Sequence, residues 1–292
     1  MVELDGVSKA YGAKIAVDRV TLRVRPGTIF GLLGPNGAGK TSTIRMMLGI
    51  TLPDSGTVRL FGEPFHRRLL PRVGYLPEER GLYRRMKVLD QLVFLGELHG
   101  LEREEAARRS RHWCERLEIA GSLSSTCAEL SKGMQQKIQF AGTLLHEPEI
   151  VIMDEPFSGL DPVNTSLLRE ILLELRTRAT IILSTHQMEN AERMCDEICL
   201  INAGRVALDG RIAEAKARYP SDRVLIEFEG DDSFLNADSV ASLQRTPGRA
   251  EVRLKDGHEP AALLREAVRC ARITRFEVAQ PSLEEIFVRT VK

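Results

Sequence analysis

The stretch TIFGLLGPNGAGKTSTIRMML constrains this chain more than any other. Its centre, GPNGAGKT at residues 34–41, satisfies G-x-x-x-x-G-K-[ST] between an apolar strand and a helix. The glycines allow backbone N–H groups to converge on phosphate oxygens without Cβ clashes. The helix N-terminus adds a favourable dipole. Gly34, Pro35, Asn36, Gly37, Ala38 and Gly39 are the expected cradle, and Lys40 supplies a point charge to the β- and γ-phosphates. Thr41 is the expected Mg²⁺ ligand, and Ser42 reaches an α-phosphate oxygen. The loop by itself specifies a nucleotide binder and leaves kinase, GTPase and ATPase open.

The rest of the chain alternates strands with helices. Residues 20–33 read as β, TSTIRMMLGI as a helix, TVRLFG as a short strand, and RVGYLPEERGLY as a strand running into a loop. From Met86 to about Leu145 the pattern is helical, with Glu104–Arg108 and Glu105–Arg109 spaced as i,i+4 ion pairs. β character returns at EIVIMDE (149–155), IILSTH (181–186) and EICLINAG (197–204). Strands with apolar cores separated by helices predict a largely parallel sheet covered on both faces. Around Tyr219-Pro220-Ser221 the chain restarts, with strands in RVLIEFEG, AEVRLKDG and ARITRFEVAQ and helices in EPAALLREAVRC and PSLEEIFVRT. The expected fold is α/β: a P-loop NTPase domain over 1–220 with a mostly parallel sheet and a helical subdomain at about 86–145. A small C-terminal α+β accessory domain follows over 221–292.

The second half of the chemistry is at EIVIMDEP. Four apolar residues place Asp154 at the carboxyl end of a buried strand, where ligands of open α/β sheets collect. Asp154 is then the Mg²⁺-side carboxylate, and Glu155 suits a general base polarising the attacking water. His186 ends IILSTH, a strand expected beside the Asp154 strand, which favours a contact to the γ-phosphate. No N-K-x-D base-reading motif is present, which disfavours a GTPase.

Balanced charge, 41 basic against 41 acidic residues, argues against nucleic acid as the main partner. The five cysteines are scattered, contain no C-x-x-C, and suit a reduced cytosolic compartment without a cysteine metal site; Cys195 and Cys199 read as an i,i+4 pair on a helix. No 18-residue apolar run and no signal-peptide core occur, so any membrane role requires another subunit to span the bilayer.

One polar stretch, LSKGMQQK at residues 130–137, is unexplained by the loop ninety residues before it. Taken with the P-loop, the Asp-Glu strand end, SGLD at 158–161 and His186, it resembles the set found, in this order, in ATP-binding subunits of ABC transporters. The resemblance covers roughly residues 1–220. It implies that LSKGMQQK, through Ser131, Gly133 and Gln135, binds the γ-phosphate of an ATP held by the other subunit of a head-to-tail homodimer. It further implies that Tyr11 stacks on adenine, that Asp161 links the two sites across the dimer, and that Gly74–Glu78 (GYLPE) senses Mg²⁺ and meets an integral-membrane permease. Lys132 stands where the family usually has glycine, and Met134 and Glu78 where it usually has glutamine. GYLPEERGLY and the ending PSLEEIFVRT are similar to prokaryotic drug- and sodium-efflux ATPases. The implied function is an ATPase subunit powering an exporter, held at the inner face of the cell membrane by its permease. A soluble ABC-type ATPase acting on nucleic acid or the ribosome is the alternative.

Overall fold

In the computed structural model, residues 1–79, 81–219, 223–255 and 257–291 are described. They form two compact units, Met1–Ile212 and Ala213–Thr290. Pro220 and Ser221, part of the expected restart, lie outside the described residues, as does Arg80 of the loop after GYLPE.

The first unit is organised by a six-stranded sheet ordered β10-β9-β3-β8-β7-β6. Its members are β3 (Ile29–Leu33), β6 (Val73–Leu76), β7 (Ile150–Asp154), β8 (Thr180–Thr185), β9 (Glu197–Asn202) and β10 (Arg205–Arg211). Neighbours from β9 to β6 pair in parallel. Every residue of β3, β7 and β8 is buried, as expected of strands covered on both faces. Only β10 runs antiparallel, through a two-residue turn at Ala203-Gly204 where both residues have positive φ.

A second, antiparallel sheet packs above it, ordered β2-β1-β4-β5, from β1 (Val2–Tyr11), β2 (Lys14–Val24), β4 (Ser55–Leu60) and β5 (Glu63–Pro64). This sheet was not expected. The single β segment at 20–33 is in fact two strands in different sheets, split by a turn at Pro26-Gly27, where Gly27 has φ 68°. Helix α1 (Lys40–Met47) is held by this arrangement: Ile44, Met46 and Met47 share one core with Val20 and Leu22 of β2 and Ile150 and Ile152 of β7.

The helical stretch resolves into α2 (Val88–Leu98), α3 (Arg103–Arg116) and α4 (Lys132–Leu144), followed after β7 by α5 (Pro162–Leu175) and after β8 by α6 (Met188–Met194). Arg108 and Arg109 both pair with Glu105 rather than Arg108 with Glu104. Cys195 follows the end of α6 and Cys199 lies in β9, so their spacing is not helical; burial raises both thiols well above the usual range.

In the second unit, which α7 (Ile212–Ala217) leads into, β11 (Arg223–Gly230), β12 (Val240–Thr246), β13 (Arg249–Leu254) and β14 (Ala271–Ala279) form an antiparallel sheet ordered β12-β13-β11-β14. Helix α8 (Pro260–Cys270) buries Leu263 and Ala267 against Val224, Ile226 and Val252. Helix α9 (Leu283–Val291) closes the unit, and Tyr219 hydrogen-bonds Thr290 at 2.8 Å.

Candidate nucleotide site

The loop after β3 is shaped by its glycines against the chain's own backbone. Gly34 has φ 149°, and a Cβ there would stand 2.2 Å from the Ile201 carbonyl oxygen. Gly39 has φ 113° and caps α1; its Cβ would stand 2.4 Å from the Ala16 oxygen. No side chain fits either position without moving backbone, so both are fixed by close approach and by left-handed geometry. Lys40 is buried, and its ammonium donates to the carbonyls of Gly34 at 2.7 Å and Pro35 at 3.2 Å.

The ends of β7 and β8 face this loop. Ser184 Oγ donates to Asp154 Oδ1, and the Glu155 N–H reaches both the carbonyl and the hydroxyl of Ser184 at 3.2 Å. These bonds hold Glu155 in a left-handed conformation, φ 52°, which costs a non-glycine residue about 1–2 kcal/mol. The turn directs Glu155 out of the sheet plane. Its Oε1 lies 3.5 Å from the Lys40 ammonium and 2.9 Å from His186 Nδ1, close enough for that ring's Nδ1–H tautomer to donate to the carboxylate. The structure therefore brings together Lys40, Asp154, Glu155 and His186. Sequence reading missed Ser184, although a hydroxyl inside the buried strand TIILST was its signal.

Lys40, Asp154 and Glu155 open onto a cavity of about 470 Å³, which His186 adjoins only through Glu155. Gly37, Thr41, Ser42 and Glu78 line it beside the Lys40 and Asp154 groups, and Tyr11, 46% exposed, stands at its mouth. Lys14 lines it as well, paired across the β1–β2 hairpin with Tyr11; nothing in the sequence marked it.

Asp154 is 1% exposed, and its Oδ2 is buried without a hydrogen-bond partner. A buried carboxylate oxygen left unsatisfied is costly, and a cation satisfies it. With the Thr41 hydroxyl and the Glu78 carboxylate on the same cavity, the donors are all hard oxygens and fit Mg²⁺. Among the described residues no cluster of three His, Cys, Asp or Glu side chains could hold a metal unaided.

No residue of 130–137 lines this cavity. Ser131 caps α4, accepting from the Met134 N–H at 3.3 Å, and Lys132 begins the helix without positive φ, so replacing glycine there is sterically tolerated. Gln135 is turned inward, donating to the carbonyls of Cys127 and Leu130 at 3.0 and 3.2 Å. Two further glutamines of α4 hold the nucleotide-side loops: Gln136 donates to the Pro156 carbonyl at 3.1 Å, and Gln139 to the Glu79 carbonyl at 3.3 Å. These two were not singled out, though glutamines at i,i+3 on a buried helix face were a readable signal. Asp161 caps α5, accepting from the Asn164 N–H at 2.9 Å, and this bond holds its carboxyl below the usual range.

With this geometry in place, likeness to known proteins is informative. Residues 17–158 match the ABC transporter family and residues 210–291 the C-terminal domain of ATP-binding proteins like DrrA1-3. The chain is 39% identical to YhaQ of Bacillus subtilis (strain 168), described as an uncharacterized ABC transporter ATP-binding protein; the match covers 100% of this chain and 98% of that one. It is 37% identical to the Nod factor export ATP-binding protein I of Cupriavidus metallidurans, over 99% of this chain and 96% of the other. A solved structure of an ATP binding subunit of an ABC transporter superposes with a TM-score of 0.69 at 32% identity, covering 75% of this chain and 92% of that one.

Proposed function

Given that this chain belongs to the ABC transporter ATP-binding proteins, we propose that two copies close head to tail on two ATP molecules and drive export through an integral-membrane permease. ATP binding and hydrolysis come with the family: the protein is an ATPase subunit of a transporter. Nothing in the described chain offers a helix long and apolar enough to cross a membrane, so the spanning part is assigned to the permease. On this reading the subunit sits peripherally on the inner face of the cell membrane, held there by its permease. Export, rather than uptake, is supported by the full-length likeness to a protein named for Nod factor export.

One observation carries the dimer. Gly133 has no positive φ, and a Cβ at that position would meet only ordinary contacts, Leu160 Cδ2 at 3.6 Å and Gly159 O at 3.9 Å. Nothing among the described residues requires a glycine there. A close approach from outside does, and the phosphate of an ATP on a second subunit supplies one. Ser131 and the first N–H groups of α4 would then meet that phosphate at a helix N-terminus. Gln135 supports the site by bracing the loop before α4, and Asp161 contributes through the adjoining loop.

Within one subunit, Lys40 and the loop N–H groups hold the phosphates, and Tyr11 takes the adenine. Thr41, Asp154 and Glu78 would hold Mg²⁺, which when bound would neutralise charge at the phosphates. Glu155 takes a proton from the attacking water, and His186, bonded to its Oε1, fixes the carboxylate's direction and stands next to the γ-phosphate. Closure is favoured by ATP only through contacts that the open state lacks, chief among them those of Ser131.

Light scattering on purified Glu155→Gln protein with and without Mg-ATP tests this reading. Losing the base slows hydrolysis by at least about 100-fold, so the closed dimer accumulates with ATP. A monomer at saturating bound ATP would sink the head-to-tail dimer of this subunit alone.

A further inference from the structure

Helices α2 and α4 meet along one row of side chains from each. Leu95 of α2 lies against Gly142 of α4, where a Cβ would stand 2.7 Å from Leu95 Cδ1. Just beyond the two helices, His99 stacks on His146. One turn back along each helix from Leu95 and Gly142, the same rows reach Gln91 and Gln139, since residues three or four apart share a helix face. Gln91 is fully buried, and Gln139 is 7% exposed. Each uses half of its amide on the chain that follows Glu78. Gln91 Oε1 accepts from the Tyr83 N–H at 2.9 Å, and Gln139 Nε2 donates to the Glu79 carbonyl at 3.3 Å. The other halves, Gln91 Nε2 and Gln139 Oε1, are buried without a partner among the described residues.

Burying an amide half without a partner destabilises a fold, and apolar side chains would close this seam without that cost. Two such amides on facing rows, both bonded to one short stretch of chain, point to that stretch as what they serve. We infer that Gln91 and Gln139 are positioning residues for Glu78: they clamp the two ends of the segment behind it and so hold its carboxylate in the nucleotide cavity. Neither glutamine lines that cavity, so both act through the backbone they hold. Gln139 bonds the residue next to Glu78 and acts more strongly than Gln91, whose tie lies four residues further on. Their free halves are one donor and one acceptor, so an amide that lets go of the segment has the other as its next partner, and the pair works as a unit. The inference rests on the proposed role of Glu78 at Mg²⁺.

The full chain carrying Gln91→Met, Gln139→Met or both tests this, because methionine keeps an unbranched side chain and drops the amide. The readout is the Mg²⁺ concentration that half-saturates binding of a fluorescent ATP analogue, taken beside the melting temperature without nucleotide. Gln139→Met should raise that concentration about 2- to 10-fold, the worth of one hydrogen bond, and Gln91→Met should raise it less. The double variant should match Gln139→Met, and affinity for the analogue in EDTA should stay unchanged in all three. Glu78→Ala sets the reference. If Glu78→Ala moves the Mg²⁺ requirement and the glutamine variants do not, the clamp is wrong while the metal reading stands. Single shifts that multiply in the double variant, an equal weakening in EDTA, or a lowered melting temperature with an unmoved Mg²⁺ requirement would each overturn it too. A native Mg²⁺ requirement in Glu78→Ala would remove Glu78 from the metal, and the inference with it.

Discussion

Two glycine-bearing segments of this protein, 34–39 and 131–135, are built on opposite principles. At Gly34 and Gly39 the surrounding fold leaves no room: backbone oxygens would lie 2.2 and 2.4 Å from an added Cβ. At Gly133 the fold leaves ample room. The first segment is complete inside one chain, its lysine tied to loop carbonyls and facing Glu155. The second has its helix capped and its glutamine turned inward, yet nothing among the described residues crowds its glycine. On the proposed reading, Gly34 and Gly39 serve a site that one subunit finishes, and Gly133 a surface that a second copy finishes.

Substitutions that separate the two segments test this contrast most strongly. Lys40→Ala removes a charge-assisted contact worth about 1.5–3 kcal/mol, so the isolated subunit should bind a fluorescent ATP analogue roughly 10- to 150-fold more weakly. Ser131→Ala should leave that monomer affinity unchanged while abolishing the ATP-dependent dimer of the Glu155→Gln background in light scattering. If Ser131→Ala weakened monomer binding as Lys40→Ala does, the two segments would belong to one site and the contrast would fail.

Next in size is Ser184→Ala. It strips the donor from buried Asp154 Oδ1, whose other oxygen is already unpartnered, and should cost about 1–3 kcal/mol in chemical denaturation. The loss should shrink on adding Mg-ATP, because a bound cation restores a partner to the carboxylate; an equal loss with and without Mg-ATP would show a purely structural role. Glu78 offers a finer test, since its carboxylate adds negative charge to a cavity that already holds Asp154 and Glu155. ATPase activity should therefore depend more steeply on Mg²⁺ in the native protein than in Glu78→Gln, and superimposable titrations would refute this.

The smallest effect concerns the seam between the helical stretch and the sheet. His99, after α2, stacks on His146, after α4, with ring centroids 3.7 Å apart, and His146 Nε2 lies 3.3 Å from the Val73 carbonyl. Burial, then the neighbouring His99 and Arg109, push His146 down to about 4, and burial also lowers His99. The unfolded chain, with histidine near 6.5, binds more protons between those values. Stability contributed by neutral His146 is thus complete above about pH 6.5 and lost as pH falls toward 4. The melting temperature should drop less between pH 7 and 5 in His146→Phe than in the native protein; equal drops would remove His146 from the seam's acid sensitivity.

Legibility followed how local each signal was. Lys40, Asp154 and the strand–loop–helix around GPNGAGKT could be read because spacing and apolar runs specify them within a dozen residues. The antiparallel sheet could not. In β1 the buried Val2, Leu4 and Val7 are spaced two and then three residues apart across a bulge, which blurs the period-two pattern. Strand β12 was missed because none of its residues is buried, leaving no alternation to read. Lys14 enters the cavity only through hairpin pairing with Tyr11, a fact of register rather than of composition.

By itself the sequence determined the phosphate loop, the carboxylates at the end of β7, the alternation of strands and helices that builds the parallel sheet, and the motif set that marks the family. Those are local patterns, fixed by backbone sterics and by which runs can be buried. Only the tertiary structure decided that Ser184 holds Asp154, that His186 reaches Glu155, that α4's glutamines tie down the loops at Glu79 and Pro156, and that Gly133 is uncrowded by the described residues. Each depends on which side chains meet across strands and helices far apart in sequence, and hydrogen bonds and close approach act over distances of about 3 Å that no linear spacing encodes.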